Sequence, residues 1–408
     1  MTTIANLCPY WSQPPTVGGQ LRVYNLNRVV AKQIQVLQFS TRPTLGHQQS
    51  GWRNWIGSRT CQVANQYLEY QYFHPLILGT SYLFYRLGLH SDIFLSPILN
   101  WLSPTQLRQV VDKAQIIQVE HPWLFESALR LAGEKPIVYV AHNVEADLWE
   151  ARARKKSPFP KLASRPREVE QEAVRHASVI IAMSEMDADT LSSEYSADPK
   201  RIYIIPNGVD LHTRQLATPV EKVMARQRLG LDSRPALLFI GSDHYPNKEA
   251  LGYIRSWQSQ LGPKLGIQFI VVGTVGLGTR STEHMLITGF VEDVADYLKA
   301  ADIALNPLVS GSGTSLKAVE YLACGLPTIT TPLGIRGLEL ADNRDVLIGN
   351  PSDFPQLIID LLTNPALQTK LTHNGRQAVE RNYDWERLGQ RMLEVYEKVC
   401  QDADMCNR

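Results

Sequence analysis

Long apolar stretches are missing from this sequence. No run of about 18 apolar residues, the length a helix needs to cross a bilayer, occurs among its 408 residues. The expectation is a protein that at most rests on a membrane. Cys-x-x-Cys pairs are missing too. The five cysteines, Cys8, Cys61, Cys324, Cys400 and Cys406, are scattered and odd in number, which suits neither a disulfide framework nor a zinc site. An excess of charge is also absent. With 41 Lys and Arg against 40 Asp and Glu, the formal charge is +1, so the whole-chain field calls for no polyanion and nucleic acid is not expected as a partner. The opening MTTIANLCPYWSQPP lacks the basic flank and long apolar run of a signal peptide. A cytoplasmic location is therefore expected.

What is present is an alternation of short apolar runs with amphipathic stretches. A chain of this length exceeds one ordinary core, which stops growing at about 250–300 residues, so two domains are expected. Candidate strands are Ile34–Phe39, Ile116–Val119, Ile137–Val140 and Val179–Ala182, then Ala236–Ile240, Phe269–Val272, Ile303–Asn306 and Thr328–Thr330. Their near-continuous Val, Ile and Leu content predicts strands covered on both faces, hence two doubly wound α/β halves. The seam falls in Ile204–Lys222, where Asn207-Gly208 is a turn signal and a polar, proline-punctuated stretch follows. This gives a first domain over 1–208, a second over 209–384, and a closing helix over 385–408. The aromatic-rich stretch Ser50–Leu102 is less regular and reads as helical cover over the first sheet, with an acceptor or membrane-facing surface as the other reading.

The stretch LVSGSGTSLKAVEYLACGLPTITT, Leu308 to Thr331, carries the chemistry. It reads as loop, helix, strand. Glycines permit close approach, and the first-turn amides of a helix lack internal partners. With the positive end of the helix dipole they form an anion site suited to phosphate. Lys317 adds a full charge, and Glu320 lies one turn on, where a carboxylate can accept from ribose hydroxyls. The competing reading is that Ser312 or Thr314 simply caps the helix. The spacing is not that of a P-loop.

GSGTSLKAVEYLACGLPTITTPLGIRGL resembles the donor-binding segment of GT-B glycosyltransferases, in particular the large retaining group called family 4. RIYIIPNGVDL, LLFIGSDHYPNKEAL and ITGFVEDVADYLKAADIALNPL resemble three further stretches of that family in the same order. The first half is similar more weakly, at PPTVGGQLRVYNLNRVVAK, QVEHPWL and VYVAHNVEADLWEARA.

The resemblance implies a GT-B fold: two Rossmann-like parallel-sheet domains facing a central cleft, an acceptor-side first domain, a donor-binding second domain, and the C-terminal helix crossing back to the first. It implies donor-binding roles for Gly18, Gly19, Gly241, Lys248, Val291, Ser312, Gly313, Thr314, Ser315 and Leu316. His142, Lys317 and Glu320 become catalytic candidates, with Glu120, His121 and Asn143 on the acceptor side. Ser312 stands where family members often carry a glutamate, and the usual Arg of the diphosphate pair is missing from GSDHYPNKEA. Asp243 and His244 read as turn residues, since no Asp-x-Asp lies nearby.

The expected reaction is transfer of a sugar from a nucleotide-diphosphate sugar to a hydroxyl of a glycan, lipid or small molecule, with retention, without a metal and without a cofactor. A nucleotide-sugar epimerase of the same fold and a non-catalytic nucleotide-sugar-binding protein are the alternatives. A Rossmann dehydrogenase is poorer, because no GxGxxG follows an early strand. The basic run ARARKKSPFPK, Ala151–Lys161, is either a solvated helix face or a contact for anionic lipid at the inner membrane face.

Overall fold

The computed structural model describes residues 2–15, 17–41, 57–87, 89–147, 149, 162, 164–311 and 313–406. The chain divides into two compact units. The first contains Met1–Pro206 and Glu386–Arg408, and the second contains Asn207–Trp385.

The first unit is built on an eight-stranded sheet. Its strands are β1 (Thr3–Cys8), β2 (Gln35–Ser40), β3 (Arg59–Ala64), β4 (Tyr67–Gln71), β5 (Ile116–Glu120), β6 (Ile137–Val140), β7 (Val179–Ala182) and β8 (Ile202–Ile204). They lie in the order β3-β4-β2-β1-β5-β6-β7-β8, parallel except for the β3–β4 pair. Strand β1 pairs with both β2 and β5, so the chain winds away from it in opposite directions. The gap that this reversal leaves at the carboxyl ends of β1 and β5 is where doubly wound sheets hold ligands.

The stretch Ser50–Leu102 is not helical cover throughout. The edge hairpin β3–β4 extends the sheet, and the helices Pro75–Arg86 and Leu95–Leu102 follow it. A buried polar network disguises this side of the sheet as irregular sequence. Asn6 on β1 donates to Gln38 Oε1 at 3.0 Å, and Gln38 Nε2 donates to Glu69 Oε1 at 2.9 Å. The amide of Ser12 and the hydroxyl of Ser40 each donate to the same Glu69 oxygen at 2.7 Å. Buried polar groups persist only when paired in this way.

The closing helix Trp385–Cys406 packs in the first unit. Gly389 makes this possible, since a Cβ there would stand 2.3 Å from Val29 Cγ1 on the helix Gly18–Val30. Tyr396 donates its hydroxyl to buried Gln118 on β5.

The second unit holds six parallel strands: β9 (Ala236–Ile240), β10 (Gln268–Val272), β11 (Met285–Ile287), β12 (Ile303–Asn306), β13 (Thr328–Thr330) and β14 (Leu347–Ile348). Their order is β11-β10-β9-β12-β13-β14, so β9 and β12 flank the reversal. The two faces of β9 serve two cores. Leu237 and Phe239 pack with Ile254, Trp257 and Phe354, while Ala236 and Leu238 pack with Leu298 and Tyr321. Each buried Leu or Phe contributes about 1.5–3 kcal/mol, so the loops at the strand ends rest on a stiff base. No helix among the described residues is long and apolar enough to cross a membrane.

Candidate functional site

In the second unit the loops leaving β9 and β12 lie side by side. Gly273, after β10, has φ +103, and a Cβ on it would stand 2.4 Å from the Gly241 carbonyl oxygen. Only glycine allows that approach. Pro246, in the first turn of the helix Tyr245–Leu265, lies beside Gly311, where an added Cβ would meet it at 3.3 Å. Ser310 donates to Glu249 of that helix at 2.7 Å.

Gly311 and Gly313 have φ +118 and +76, a backbone that a Cβ would strain. The chain then enters the helix Leu316–Ala323. Ser315 stands at its N-cap and makes no capping bond. The Thr314 hydroxyl instead accepts from Asn207 Nδ2 at 2.6 Å. No side chain among the described residues therefore closes this helix start, and its amides and dipole remain available to an anion. Ser312 lies outside the described residues.

Lys317 points back over this loop toward β9. Its Nζ donates to Asn247 Oδ1 at 2.6 Å and lies 4.5 Å from the centre of the Phe239 ring. Burial lowers its ammonium to about 7. Glu320, one turn on, accepts from Arg214 Nε and Nη2 at 3.2 and 3.1 Å. Lys248 turns instead to Asp243, at 2.6 Å in an exposed pair. Val291, two residues past Gly289, packs against the Tyr321 side of the core.

In the first unit the residues after β1, β5 and β6 converge. His142 Nε2 bonds Glu120 Oε2 at 2.6 Å, and His121 Nδ1 bonds Glu145 Oε1 at 2.6 Å. The two imidazoles stack at 4.0 Å between centres, 19° from parallel. Tyr10 Oη lies 3.3 Å from His121 Nε2. Gly19 underlies this cluster, where a Cβ would stand 2.4 Å from Tyr10 Oη and 3.8 Å from His142 Nδ1. Gly18 starts the helix Gly18–Val30, and Asn143 Nδ2 reaches Glu145 at 3.5 Å.

Burial lowers the His142 imidazole to about 4, with His121 pushing the same way and Glu120 opposing. The ring is thus neutral at pH 7 and donates to Glu120, which leaves Nδ1 as an acceptor. Burial raises the Glu120 carboxyl, but the bond from His142 and the charge of Arg22 outweigh it and hold the group below its ordinary range. Arg22 is itself buried and donates to the carbonyls of Ile205 and Pro206, both at 2.7 Å.

Residues 234–364 match the glycosyl transferases group 1, and residues 79–213 match Glycosyltransferase Family 4. The first match lies in the second unit, the other ends seven residues into it, and together they cover well over half of the chain. The chain belongs to the family 4-like, group 1 glycosyltransferases.

Similar curated proteins include the D-inositol 3-phosphate glycosyltransferases of Segniliparus rotundus, 27% identical over 67% of this chain and 62% of that protein, and of Mycobacteroides abscessus, 29% identical over 69% and 66%. This glycosyltransferase thus spans just under two thirds of the length of those two relatives. Among solved structures, sucrose-phosphate synthase from Thermosynechococcus elongatus aligns with a TM-score of 0.72 at 17% identity, over 98% of this chain and 100% of that one. Anabaena HepE in complex with UDP aligns at 0.70 and 14% identity, over 98% and 100%. These likenesses show the GT-B fold.

Several residues of these two clusters carry no signal in the glycosyltransferase sequence. Arg214 lies in a stretch that reads as linker, 106 positions from the Glu320 it holds. Asn247 reads only as part of a helix start, and Asn207 only as a turn. Tyr10 and Arg22 have nothing in their spacing that marks them. The basic run Ala151–Lys161 lies outside the described residues.

Proposed function

We propose that this glycosyltransferase takes a sugar from a nucleotide-diphosphate sugar and passes it to an acceptor hydroxyl, with retention of configuration and with the protein rather than a metal ion neutralising the diphosphate. The observation that carries the reading is the uncapped start of the helix Leu316–Ala323 behind a two-glycine loop, with half-buried Lys317 beside it. As the bond from the anomeric carbon to the phosphate oxygen breaks, negative charge grows on the leaving diphosphate. Preorganised donors aimed at such charge are each worth roughly 2.7–4 kcal/mol in comparable sites. The acceptor oxygen bonds to the anomeric carbon on the same face, and its proton leaves with the diphosphate, so no protein nucleophile is required.

Glu320, held by Arg214, accepts from the ribose, and Val291 and Gly241 line the nucleoside end. His142, neutral and with Nδ1 open to accept, takes a hydroxyl of the transferred sugar. The neighbouring structures of HepE with UDP and with UDP-glucose put uridine diphosphate first among the bases to test. The name shared by the curated relatives puts D-inositol 3-phosphate among the first acceptors.

A thermal-shift screen of nucleoside diphosphates and their sugars tests the donor, since a ligand that binds the native state raises Tm. A rise with one nucleoside diphosphate and its sugar is expected. No rise with any of them overturns the reading. Proton NMR of the product, read at the anomeric coupling, tests retention.

A further inference from the structure

His121 adopts φ 61, ψ 164, a region that residues with a Cβ avoid and that persists only where the surroundings impose it. The surroundings here are a chain of two carboxylates. Glu145 Oε1 holds the His121 ring at 2.6 Å from Nδ1. Glu145 is itself held through its backbone: Glu170 Oε1 accepts its amide at 2.9 Å, and Glu170 Oε2 accepts the amide of Ala146 at 3.1 Å. The hydroxyls of Tyr139 and Tyr195 complete the Glu170 carboxylate, at 3.2 and 2.8 Å.

Glu170 is fully buried, with no cation at hydrogen-bond distance among the described residues. Burial raises it to about 7, with the amides of Glu145 and Ala146 opposing. An unpaired carboxylate is expensive to bury, so this one is retained for what it holds.

We propose that Glu145 and Glu170 are positioning residues for sugar transfer. They act in series to keep the His121 imidazole stacked on His142, with its Nε2 accepting from Tyr10 Oη and so fixing that phenol beside an incoming hydroxyl. The proposal rests on the glycosyltransferase reading given above. Neither carboxylate need touch substrate. Glu145 sets which ring nitrogen of His121 carries the proton, and Glu170 sets where Glu145 stands.

The test uses the full chain with the variants Glu145→Ala, Glu170→Gln, His121→Ala and His121→Gly. The short bond between Nδ1–H and the Glu145 carboxylate gives a far-downfield proton resonance in the wild type, assigned by its loss in His121→Ala. In Glu145→Ala this signal disappears, and in Glu170→Gln it shifts. The expected kinetic result is a kcat lower by about tenfold, as for loss of a hydrogen bond to a charged group, with UDP affinity unchanged. His121→Gly melts above His121→Ala, because glycine relieves the backbone that alanine leaves strained.

Retention of the downfield proton in Glu145→Ala overturns the proposal. So does unchanged kcat once the proton is lost, or an equal loss of UDP affinity and kcat, which marks a general structural defect. Should Glu145→Ala fail to fold, Glu170→Gln and the His121 pair decide. If the wild type neither binds a nucleoside diphosphate nor transfers sugar, the functional reading fails by itself, and the proton signal and the melting order still decide whether His121 is held in this way.

Discussion

Asn207 Nδ2 donates to the Thr314 hydroxyl at 2.6 Å, so the turn at the start of the second unit is tied to the glycine loop before the helix Leu316–Ala323. The bond spans 107 positions of sequence and engages Thr314, one of the two hydroxyl residues, with Ser312, that were expected to cap that helix.

Replacing Asn207 with alanine releases Thr314 to cap the helix and close the anion site. Loss of a neutral hydrogen bond of about 1 kcal/mol corresponds to roughly a fivefold change. The expected result is a KM for the donor sugar raised several-fold with Tm little changed. A donor KM equal to wild type shows that the tie does not hold the loop open.

Lys317 links diphosphate binding to protons. Burial places its ammonium at about 7, below the ordinary lysine value, so in the empty protein it is charged below that pH and increasingly neutral above it. A bound diphosphate restores the charge and raises the pKa. Binding at pH 8 therefore takes up close to one proton and at pH 6 takes up almost none, and affinity falls as pH rises through 7. Calorimetry in two buffers of different ionisation enthalpy measures the uptake. Lys317→Met removes both the uptake at pH 8 and the pH dependence. Equal uptake by the variant assigns the proton elsewhere.

The ribose role proposed for Glu320, held by Arg214, can be tested apart from recognition of the phosphates. Glu320→Gln weakens nucleoside diphosphate binding, by roughly tenfold for a hydrogen bond to a charged group, and leaves inorganic pyrophosphate unaffected. The pair is partly exposed, at 27% and 20% for the two side chains, so little stability is lost with it. Matched losses for both ligands place the carboxylate away from the sugar.

Gly19→Ala probes the first-unit cluster without removing a polar group. The added Cβ would stand 2.4 Å from Tyr10 Oη, so the phenol must move away from His121. Because the obstruction is the end of a side chain rather than backbone, Tm changes by only a few degrees while turnover drops. Unchanged turnover places Tyr10 and His121 outside the reaction.

Removal of divalent ions tests the charge assignment. With Lys317 and the helix start neutralising the diphosphate, transfer proceeds at the same rate in EDTA. Loss of activity that magnesium restores shows that a cation shares this work.

Legibility of the fold in the sequence follows the chemistry of the strands. Strands β6, β7 and β9 carry unbroken apolar runs, and they, like β12 and β13, stand where the sequence puts them, with matching ends. Strand β1 is as central as any of these but reads TIANLC; buried Asn6 breaks its run, and nothing local tells that its Nδ2 donates to Gln38. Strand β4 hides in the same way, because Glu69 and Gln71 look like surface residues until Ser12, Gln38 and Ser40 surround them. Short edge strands such as β11 and β14 offer too few residues for any period to show.

Site residues divide along a similar line. The glycine loop and Lys317 follow one another along the chain, so helix-start physics exposes them. Arg214, Tyr10 and Glu170 act across gaps of 24 to 111 positions, and such meetings exist only once the chain has folded.

The units differ in how the chain supplies them. Asn207–Trp385 is one uninterrupted stretch, whereas the other unit is assembled from residues on both sides of it. The later unit can accordingly be excised and expressed from a single contiguous gene fragment, with its own nucleotide titration. Its companion needs a designed linker joining Pro206 to Glu386, and without the terminal helix the polar end of Gln118 is left uncovered.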